Sequence, residues 1–132
     1  MNNKDYIFVY GSLRESINHP LRNLLVRHGS FLGRGCYQGK LYDLGRYPAA
    51  IPSTSTQDRV VGEVFRLQEA EHVLKLLDKY EGSRFKREIV KVAIEDDAIP
   101  CWAYLYKKSP SGRNLIPSGD YVEYCRFLER LL

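Results

Sequence analysis

Tyr6-Ile7-Phe8-Val9-Tyr10-Gly11-Ser12-Leu13-Arg14 begins as an apolar, β-rich run and passes into small residues at Gly11 and Ser12. Such a run is typical of a buried strand, and a Gly-Ser turn lets the backbone bend sharply because no bulky side chain is in the way. The N–H groups that follow can then point at a bound anion. The N-terminal run therefore predicts a strand that leads directly into a ligand-binding loop.

Length and composition predict one domain spanning residues 1–132. A chain of 132 residues with 44% hydrophobic and 12% aromatic content can build one core but is too short for two. No segment approaches the roughly 18 consecutive apolar residues of a membrane span. The first residues also lack the apolar core of a signal peptide. We therefore expect a cytoplasmic protein that makes no membrane contact.

The charge distribution favours a solvated, mildly basic surface. A net charge of +4 and an isoelectric point near 9.0 would permit contact with nucleic acid. The basic residues are, however, scattered along the chain and interleaved with acidic ones. We expect no nucleic-acid partner, and the alternative would predict an affinity that falls steeply as salt rises.

The cysteines and histidines predict neither a disulfide framework nor a metal site. The chain has three cysteines, widely spaced among apolar or aromatic neighbours and without a Cys-x-x-Cys pair, which is typical of reduced thiols: Cys36, Cys101 and Cys125. The three histidines have no spacing of the kind that zinc ligands show. We therefore expect no metal and no cofactor.

Apolar periodicity predicts strands that outnumber helices. The clearest helix is predicted from about Gln68 to Glu81, where apolar residues recur at i, i+3, i+4 and i+7 and Gly82 follows as a C-terminal cap. Irregular alternation of strands and helices favours an α+β fold with a small, mixed, mostly antiparallel curved sheet or open barrel and flanking helices. The remaining predictions are helices at about 20–28 and from 121 onward, strands at 31–44, 60–67, 85–95 and 100–107, and a loop at 44–50.

Glu81 is the strongest candidate for a catalytic residue. It lies four residues after Leu77 and seven after Leu74, so it shares the helix side that faces the core. Burial and the negative end of the helix dipole both raise the pKa of a carboxyl toward the range of a general acid or base. The alternative is a frayed last turn, from which Glu81 pairs with Arg84 or Arg87 on the surface. Other acids of this helix fall on exposed faces and are weaker candidates: Glu69, Glu71 and Asp78.

Two further groups of polar side chains each leave two interpretations open. Trp102, Tyr104 and Tyr106 share one face of a strand, which either lines a cavity or forms an aromatic ladder at the solvent edge. Ser12 stands where a nucleophile could sit, but nothing in the sequence identifies a histidine and an acid to activate it. Gly11 and Ser12 fit better as a source of backbone donors and one hydroxyl.

Five short segments, spread over roughly residues 6 to 121, form a recognisable set. The segments are Val9-Tyr10-Gly11-Ser12-Leu13-Arg14, Leu41-Tyr42-Asp43-Leu44-Gly45-Arg46-Tyr47-Pro48-Ala49, Gly62-Glu63-Val64-Phe65, Leu77-Asp78-Lys79-Tyr80-Glu81-Gly82 and Ser118-Gly119-Asp120-Tyr121. They occur in the order found in the γ-glutamylcyclotransferase-like family, and the chain resembles the small bacterial and archaeal members of that family.

This resemblance implies a compact α+β fold around a small, mostly antiparallel barrel, with a cavity between the loop at 10–13 and the helix-end glutamate. Glu81 matches the catalytic glutamate of the family. Phe85 stands where many members have a tyrosine, so one pocket hydroxyl is absent here. The positions that the resemblance implies for substrate binding are the loop residues Tyr10, Gly11, Ser12 and Leu13 and the pocket residue Tyr104.

The activity implied by the resemblance is an intramolecular acyl transfer. The α-amino group of a small γ-glutamyl compound attacks its own γ-carbonyl, which closes 5-oxoproline and expels the attached amine, while Glu81 moves the protons. The leaving amine stays open between an amino acid, a polyamine, a cross-linked lysine and the amine of a secondary metabolite. A carboxylate-binding protein that uses the same cavity without catalysis is the alternative, and the oligomeric state stays open between a monomer and a weak homodimer.

Overall fold

The computed structural model describes residues 5–11 and 22–132. The expectations for Ser12 and Leu13, and for the start of the first helix at residue 20, fall outside these residues. The described part of the chain forms, in order, β1 (Tyr6–Val9), α1 (Arg22–His28), β2 (Gly29–Tyr37), β3 (Gly39–Asp43), β4 (Pro48–Pro52), β5 (Val60–Leu67), α2 (Ala70–Glu81), β6 (Phe85–Ile94), β7 (Asp97–Tyr106), β8 (Asn114–Leu115) and α3 (Tyr121–Leu131).

Five strands close into a barrel in the order β1-β5-β2-β6-β7. The β1 strand lies antiparallel to β5 on one side and parallel to β7 on the other, where Ile7 is opposite Trp102. The curved, mostly antiparallel sheet is therefore confirmed, together with the α+β class. The barrel is closed, however, where an open one was also considered, because the N-terminal strand inserts between two strands from distant parts of the chain.

The glycine-rich segment after α1 is irregular within the barrel wall. The β2 strand shifts register against β5 between Phe31 and Gly33, which marks a bulge in the barrel wall. The chain leaves the barrel after Tyr37 and continues as β3 in a separate three-stranded sheet of order β4-β3-β8. The predicted strand at 31–44 is therefore divided between the two sheets.

The prediction of a loop over residues 44–50 is wrong at its C-terminal end. Pro48, Ala49 and Ala50 are buried and belong to β4, which pairs antiparallel with β3. The β4 strand is an edge of its sheet, where a proline is tolerated because its missing N–H is not needed for a second ladder. The β4 strand brings Pro48 against the turn that follows β1.

The barrel wall separates two apolar clusters, and successive residues of β1 alternate between them. Phe8 lies with Val64, Leu105 and other buried side chains in the barrel interior. Ile7 lies on the outer face, with Phe65 and the residues that α2 buries. The predicted helix at 68–81 is confirmed as α2, which begins at Ala70 and packs through Val73, Leu74 and Leu77. Its C-terminal end is thereby held beside the end of β1.

None of the helices in the described ranges is both long enough and apolar enough to cross a membrane.

Candidate active site

A cavity of about 220 Å³ opens where β1 ends, beside the last turn of α2. Sites that enclose a drug-sized ligand are commonly about 300–1,000 Å³, so this cavity suits one end of a small molecule. Part of the cavity wall comes from the strands of the barrel. The rest comes from the segment before β4 and from the end of α2. Four of the residues singled out from the sequence line it together: Tyr10, Gly11, Glu81 and Tyr104.

Glu81 is half-buried at the last position of α2. Burial raises the pKa of its carboxyl to about 7. In the described part of the chain, no ion pair joins this carboxylate to Arg84 or Arg87, because Arg87 pairs with Asp78 instead. The alternative of a surface ion pair at Glu81 is therefore wrong. A carboxyl in this state can both accept and donate a proton near neutral pH.

Tyr10 fixes the base of the cavity. Its buried hydroxyl donates a hydrogen bond to the backbone carbonyl of Tyr104 and accepts one of 3.2 Å from the N–H of Ala50. The same hydroxyl thus joins β4 and β7 to the end of β1. Burial, with a further contribution from the nearby charge of Glu81, raises the pKa of Tyr10 well above its ordinary value. Tyr10 consequently stays a neutral hydrogen-bonding group.

Tyr104 is held from the opposite side by Asp78. Its hydroxyl donates a hydrogen bond of 2.6 Å to Asp78 Oδ1. Arg87 is the cross-strand neighbour of Tyr104 and reaches the same carboxylate, with Nε 2.8 Å from Oδ1 and Nη2 3.1 Å from Oδ2. Burial acts to raise the pKa of Asp78, but the hydrogen bonds from Arg87 and Tyr104 hold it below its ordinary value.

The prediction that Asp78 lies on an exposed face of the helix is confirmed, and its place below Glu81 as a catalytic candidate stays a prediction. Its side chain is 43% exposed, yet it orients a residue of the cavity wall. The signal available in the sequence was its spacing, because Asp78 precedes Glu81 by three residues and therefore lies on a neighbouring part of the same helix surface. Exposure alone was a poor guide to its role.

The aromatic row on β7 divides between cavity and packing. Tyr104 lines the cavity, whereas Trp102 lies beneath the guanidinium of Arg87, whose Cζ is 4.2 Å from the ring centroid. Tyr106 packs against Phe85, with ring centroids 5.5 Å apart. The row as a whole therefore neither lines a cavity nor forms an aromatic ladder at the solvent edge. One of its three residues lines the cavity, and the other two pack against neighbouring side chains.

Gly11 is required at its position by the close approach of β4. A Cβ atom built on Gly11 would lie 2.9 Å from Cγ of Pro48, which is closer than real Cβ atoms come to a neighbour. Both residues line the cavity. The turn after β1 and the start of β4 therefore meet at a distance that only glycine allows.

Arg84 is the second charged side chain among the described residues that line the cavity, although the sequence indicated it only as an ion-pair partner. It is exposed, and its guanidinium Cζ lies 5.1 Å from the ring centroid of Tyr47. Throughout residues 5–11 and 22–132, no group of three His, Cys, Asp or Glu side chains could hold a metal ion. The described lining thus offers one carboxyl of raised pKa and one guanidinium.

Comparison with known proteins gives a consistent result. Residues 7–123 match the family model described as gamma-glutamyl cyclotransferase, AIG2-like. The gamma-glutamylcyclotransferase family protein YtfP of Escherichia coli K12 is 34% identical over 121 residues, which cover 89% of this chain and 96% of the relative. The solution structure of E. coli ytfP superposes with a TM-score of 0.62 at 31% identity and covers 91% of this chain and 98% of that one.

Two more distant structures share the fold. YkqA from Bacillus subtilis matches with a TM-score of 0.78 at 20% identity, over 96% of this chain and 42% of YkqA. A mouse AIG2-like protein matches with a TM-score of 0.69 at 24% identity, over 89% of this chain and 87% of the mouse chain. At these low identities, the two structures support a shared fold and carry no conclusion about function.

Proposed function

This chain belongs to the gamma-glutamyl cyclotransferase, AIG2-like family, and we propose that it cleaves a γ-glutamyl amine by cyclising the γ-glutamyl group. The products are 5-oxoproline and the free amine. The observation that carries this proposal is the Glu81 carboxyl, half-buried with a pKa of about 7, on the wall of a cavity that Tyr10, Gly11 and Tyr104 also line. A structural glutamate gains nothing from such a position.

The chemistry needs a nucleophile and two proton transfers, and the substrate itself carries the nucleophile. The α-ammonium group loses a proton to the Glu81 carboxylate, and the resulting amine attacks the γ-carbonyl carbon. The new C–N bond closes the five-membered ring, and the old C–N bond to the leaving amine breaks. The two protons that the α-ammonium loses are the two that the leaving nitrogen gains, so Glu81 ends the cycle as it began.

Two effects suffice for a large rate enhancement. Holding the flexible γ-glutamyl chain coiled, so that its own nitrogen faces its own carbonyl, is worth on the order of 7 kcal/mol or more. A positioned general acid and base adds roughly 10²-fold or more. With a pKa of about 7, Glu81 is present in both protonation states at neutral pH, as one group that plays both roles must be.

Substrate binding is assigned to the turn after β1 and to the wall around Tyr104. Backbone N–H groups of the loop at 10–13 would hold the α-carboxylate of the substrate, with Ser12 adding a hydroxyl. Phe85 makes the adjoining wall apolar where many family members would offer a tyrosine hydroxyl, and the residue is buried. Because the cavity is small, it would enclose the γ-glutamyl end and leave the amine portion at the mouth.

The test is a panel of γ-glutamyl compounds incubated with the protein and with Glu81→Gln, with 5-oxoproline as the readout. We expect release of 5-oxoproline by the natural protein from at least one member and none above background by the variant. Binding of panel members without turnover by the natural protein would contradict the proposal and favour a carboxylate-binding protein. Undiminished turnover by Glu81→Gln would remove Glu81 from the mechanism.

A further inference from the structure

The two charged side chains that the described residues contribute to the cavity lining lie at different depths. Glu81 is half-buried, whereas Arg84, three residues later in the connection between α2 and β6, is exposed at the rim. The proposed reaction uses Glu81 to protonate the leaving nitrogen. The leaving group must therefore lie next to Glu81 and extend outward past the segment that carries Arg84.

The positive charge of the Arg84 side chain is not neutralised by any described residue. In the described ranges it forms no ion pair with a carboxylate, and its guanidinium lies over the face of Tyr47. The Tyr47 ring is itself supported by Phe85, with centroids 6.0 Å apart. The backbone is also anchored, because the N–H of Lys107 donates a hydrogen bond of 2.9 Å to the Arg84 carbonyl. The cavity rim thus carries a positive charge that no carboxylate of the described residues neutralises.

From this arrangement we propose that Arg84 is a specificity residue, which favours γ-glutamyl compounds whose leaving amine carries an acid group over those whose leaving amine is neutral or cationic. This inference rests on the proposed cyclisation. A guanidinium stacked on an aromatic ring keeps its N–H fork free for a carboxylate, which it can bind through two hydrogen bonds. A second ammonium on the leaving group would instead meet a like charge. Among the leaving groups considered above, this favours an amino acid over a polyamine.

The test compares three γ-glutamyl compounds of similar size that differ in the charge of the leaving group. They are γ-glutamylglycine, γ-glutamylglycinamide and γ-glutamyl-ethylenediamine, which are anionic, neutral and cationic there. In the natural protein we expect kcat/KM to fall in that order. Arg84→Gln should lower kcat/KM for γ-glutamylglycine by roughly five- to tenfold, as suits one partly exposed guanidinium–carboxylate pair, and leave the glycinamide value nearly unchanged.

Matched variants separate charge from geometry. Arg84→Lys keeps the charge without the planar fork, so its preference for γ-glutamylglycine should fall between those of the natural protein and Arg84→Gln. Arg130→Gln removes an equal charge from the exposed end of α3 and should leave all three values unchanged. Raising the salt concentration should reduce the preference for the acid compound in the natural protein but not in Arg84→Gln.

Failure of the inference about Arg84 and failure of the proposed cyclisation would give different results. Equal losses for all three compounds in Arg84→Gln would overturn the inference, because Arg84 would then bind the γ-glutamyl part that they share. Equal kcat/KM values in the natural protein would overturn it as well. Failure of the proposed function would look different, since none of the three compounds would then release 5-oxoproline with the natural protein, whether or not calorimetry shows that they bind.

Discussion

The hydroxyl of Tyr104 donates a hydrogen bond of 2.6 Å to the carboxylate of Asp78, which precedes Glu81 by three residues in α2. This contact crosses from the barrel wall to the helix. Arg87 on β6 completes it from the cross-strand position beside Tyr104. The last turn of α2, which carries Glu81, is thus joined to the barrel wall by a polar contact as well as by apolar packing.

Removing the Tyr104 hydroxyl should affect both stability and activity. We expect Tyr104→Phe to lower the free energy of unfolding by about 1 kcal/mol, since one partly buried hydrogen bond to a charged group is lost. We also expect a lower kcat/KM, because the last turn of α2 is then held less firmly. Tyr106→Phe is the matched control, a buried tyrosine two residues away on the same strand that does not line the cavity. Equal effects in both variants, measured by denaturant unfolding and 5-oxoproline release, would count against a specific role.

Glu81→Gln should abolish turnover without loss of structure. The amide has nearly the same shape as the carboxyl but cannot exchange a proton, so we expect kcat to fall by at least roughly 10²-fold. Thermal unfolding and circular dichroism should match those of the natural protein near pH 5. A variant that is inactive and also unfolded would leave the loss of kcat unexplained by proton transfer, and Glu81→Asp then serves as the folded comparison.

The rate should depend on pH through Glu81. The carboxylate form accepts the first proton, so kcat/KM should rise as pH increases through about 7, the pKa that burial gives this carboxyl. About a tenth of the sites would be active at pH 6 and about nine-tenths at pH 8. A profile that is flat between these values, or that falls with pH, would exclude Glu81 as the base.

Burial of Glu81 should also make the free energy of unfolding depend on pH. Its pKa is raised from 4.5 to about 7 on folding, so between these values the folded state binds more protons than the unfolded state. Stability attributable to this group is therefore highest below pH 4.5 and is lost as pH rises through about 7. Relative to the natural protein, Glu81→Gln should gain on the order of 2–3 kcal/mol between pH 4 and pH 8. Denaturant unfolding of both proteins across this range measures the difference, which a constant offset would contradict.

The contact between Gly11 and Pro48 can be tested by substitution and rescue. Gly11→Ala would place a methyl group 2.9 Å from Pro48 Cγ, so the turn or β4 must shift, and we expect lower stability and a raised KM. Trimming the neighbour in the double variant Gly11→Ala, Pro48→Ala should restore part of both, since the two residues are in direct contact. Additive losses in the double variant would show that the crowding is not the cause.

Local patterns predicted the elements that carry Glu81. The helix at 70–81 follows from apolar spacing within one segment, and the strands β6 and β7 follow from two neighbouring apolar runs. The candidate status of Glu81 followed in turn, because its place on the inward side of the helix end was visible in the same spacing. These inferences needed no information about distant parts of the chain.

Features that depend on pairing between distant segments of the chain could not be predicted from the sequence. The insertion of β1 beside β7 closes the barrel, yet no residue of Tyr6–Val9 indicates its partner. Asp78 looked unimportant because its role comes from the register that sets Arg87 opposite Tyr104. Pro48 looked like part of a loop because a proline in an edge strand has no local signature that distinguishes it from one in a turn.

The cavity combines walls of two origins. Tyr10 directly follows β1 and Tyr104 belongs to β7, two strands that the barrel cannot lose. Tyr47 and Arg84 instead lie in connections outside the barrel, where substitutions cost little stability. Descendants of one ancestral barrel could therefore acquire new amine preferences by changing the outer connections while the reacting centre stays the same. Diversification of such proteins, in nature or by laboratory selection, should concentrate around residues 47 and 84 and spare the strands.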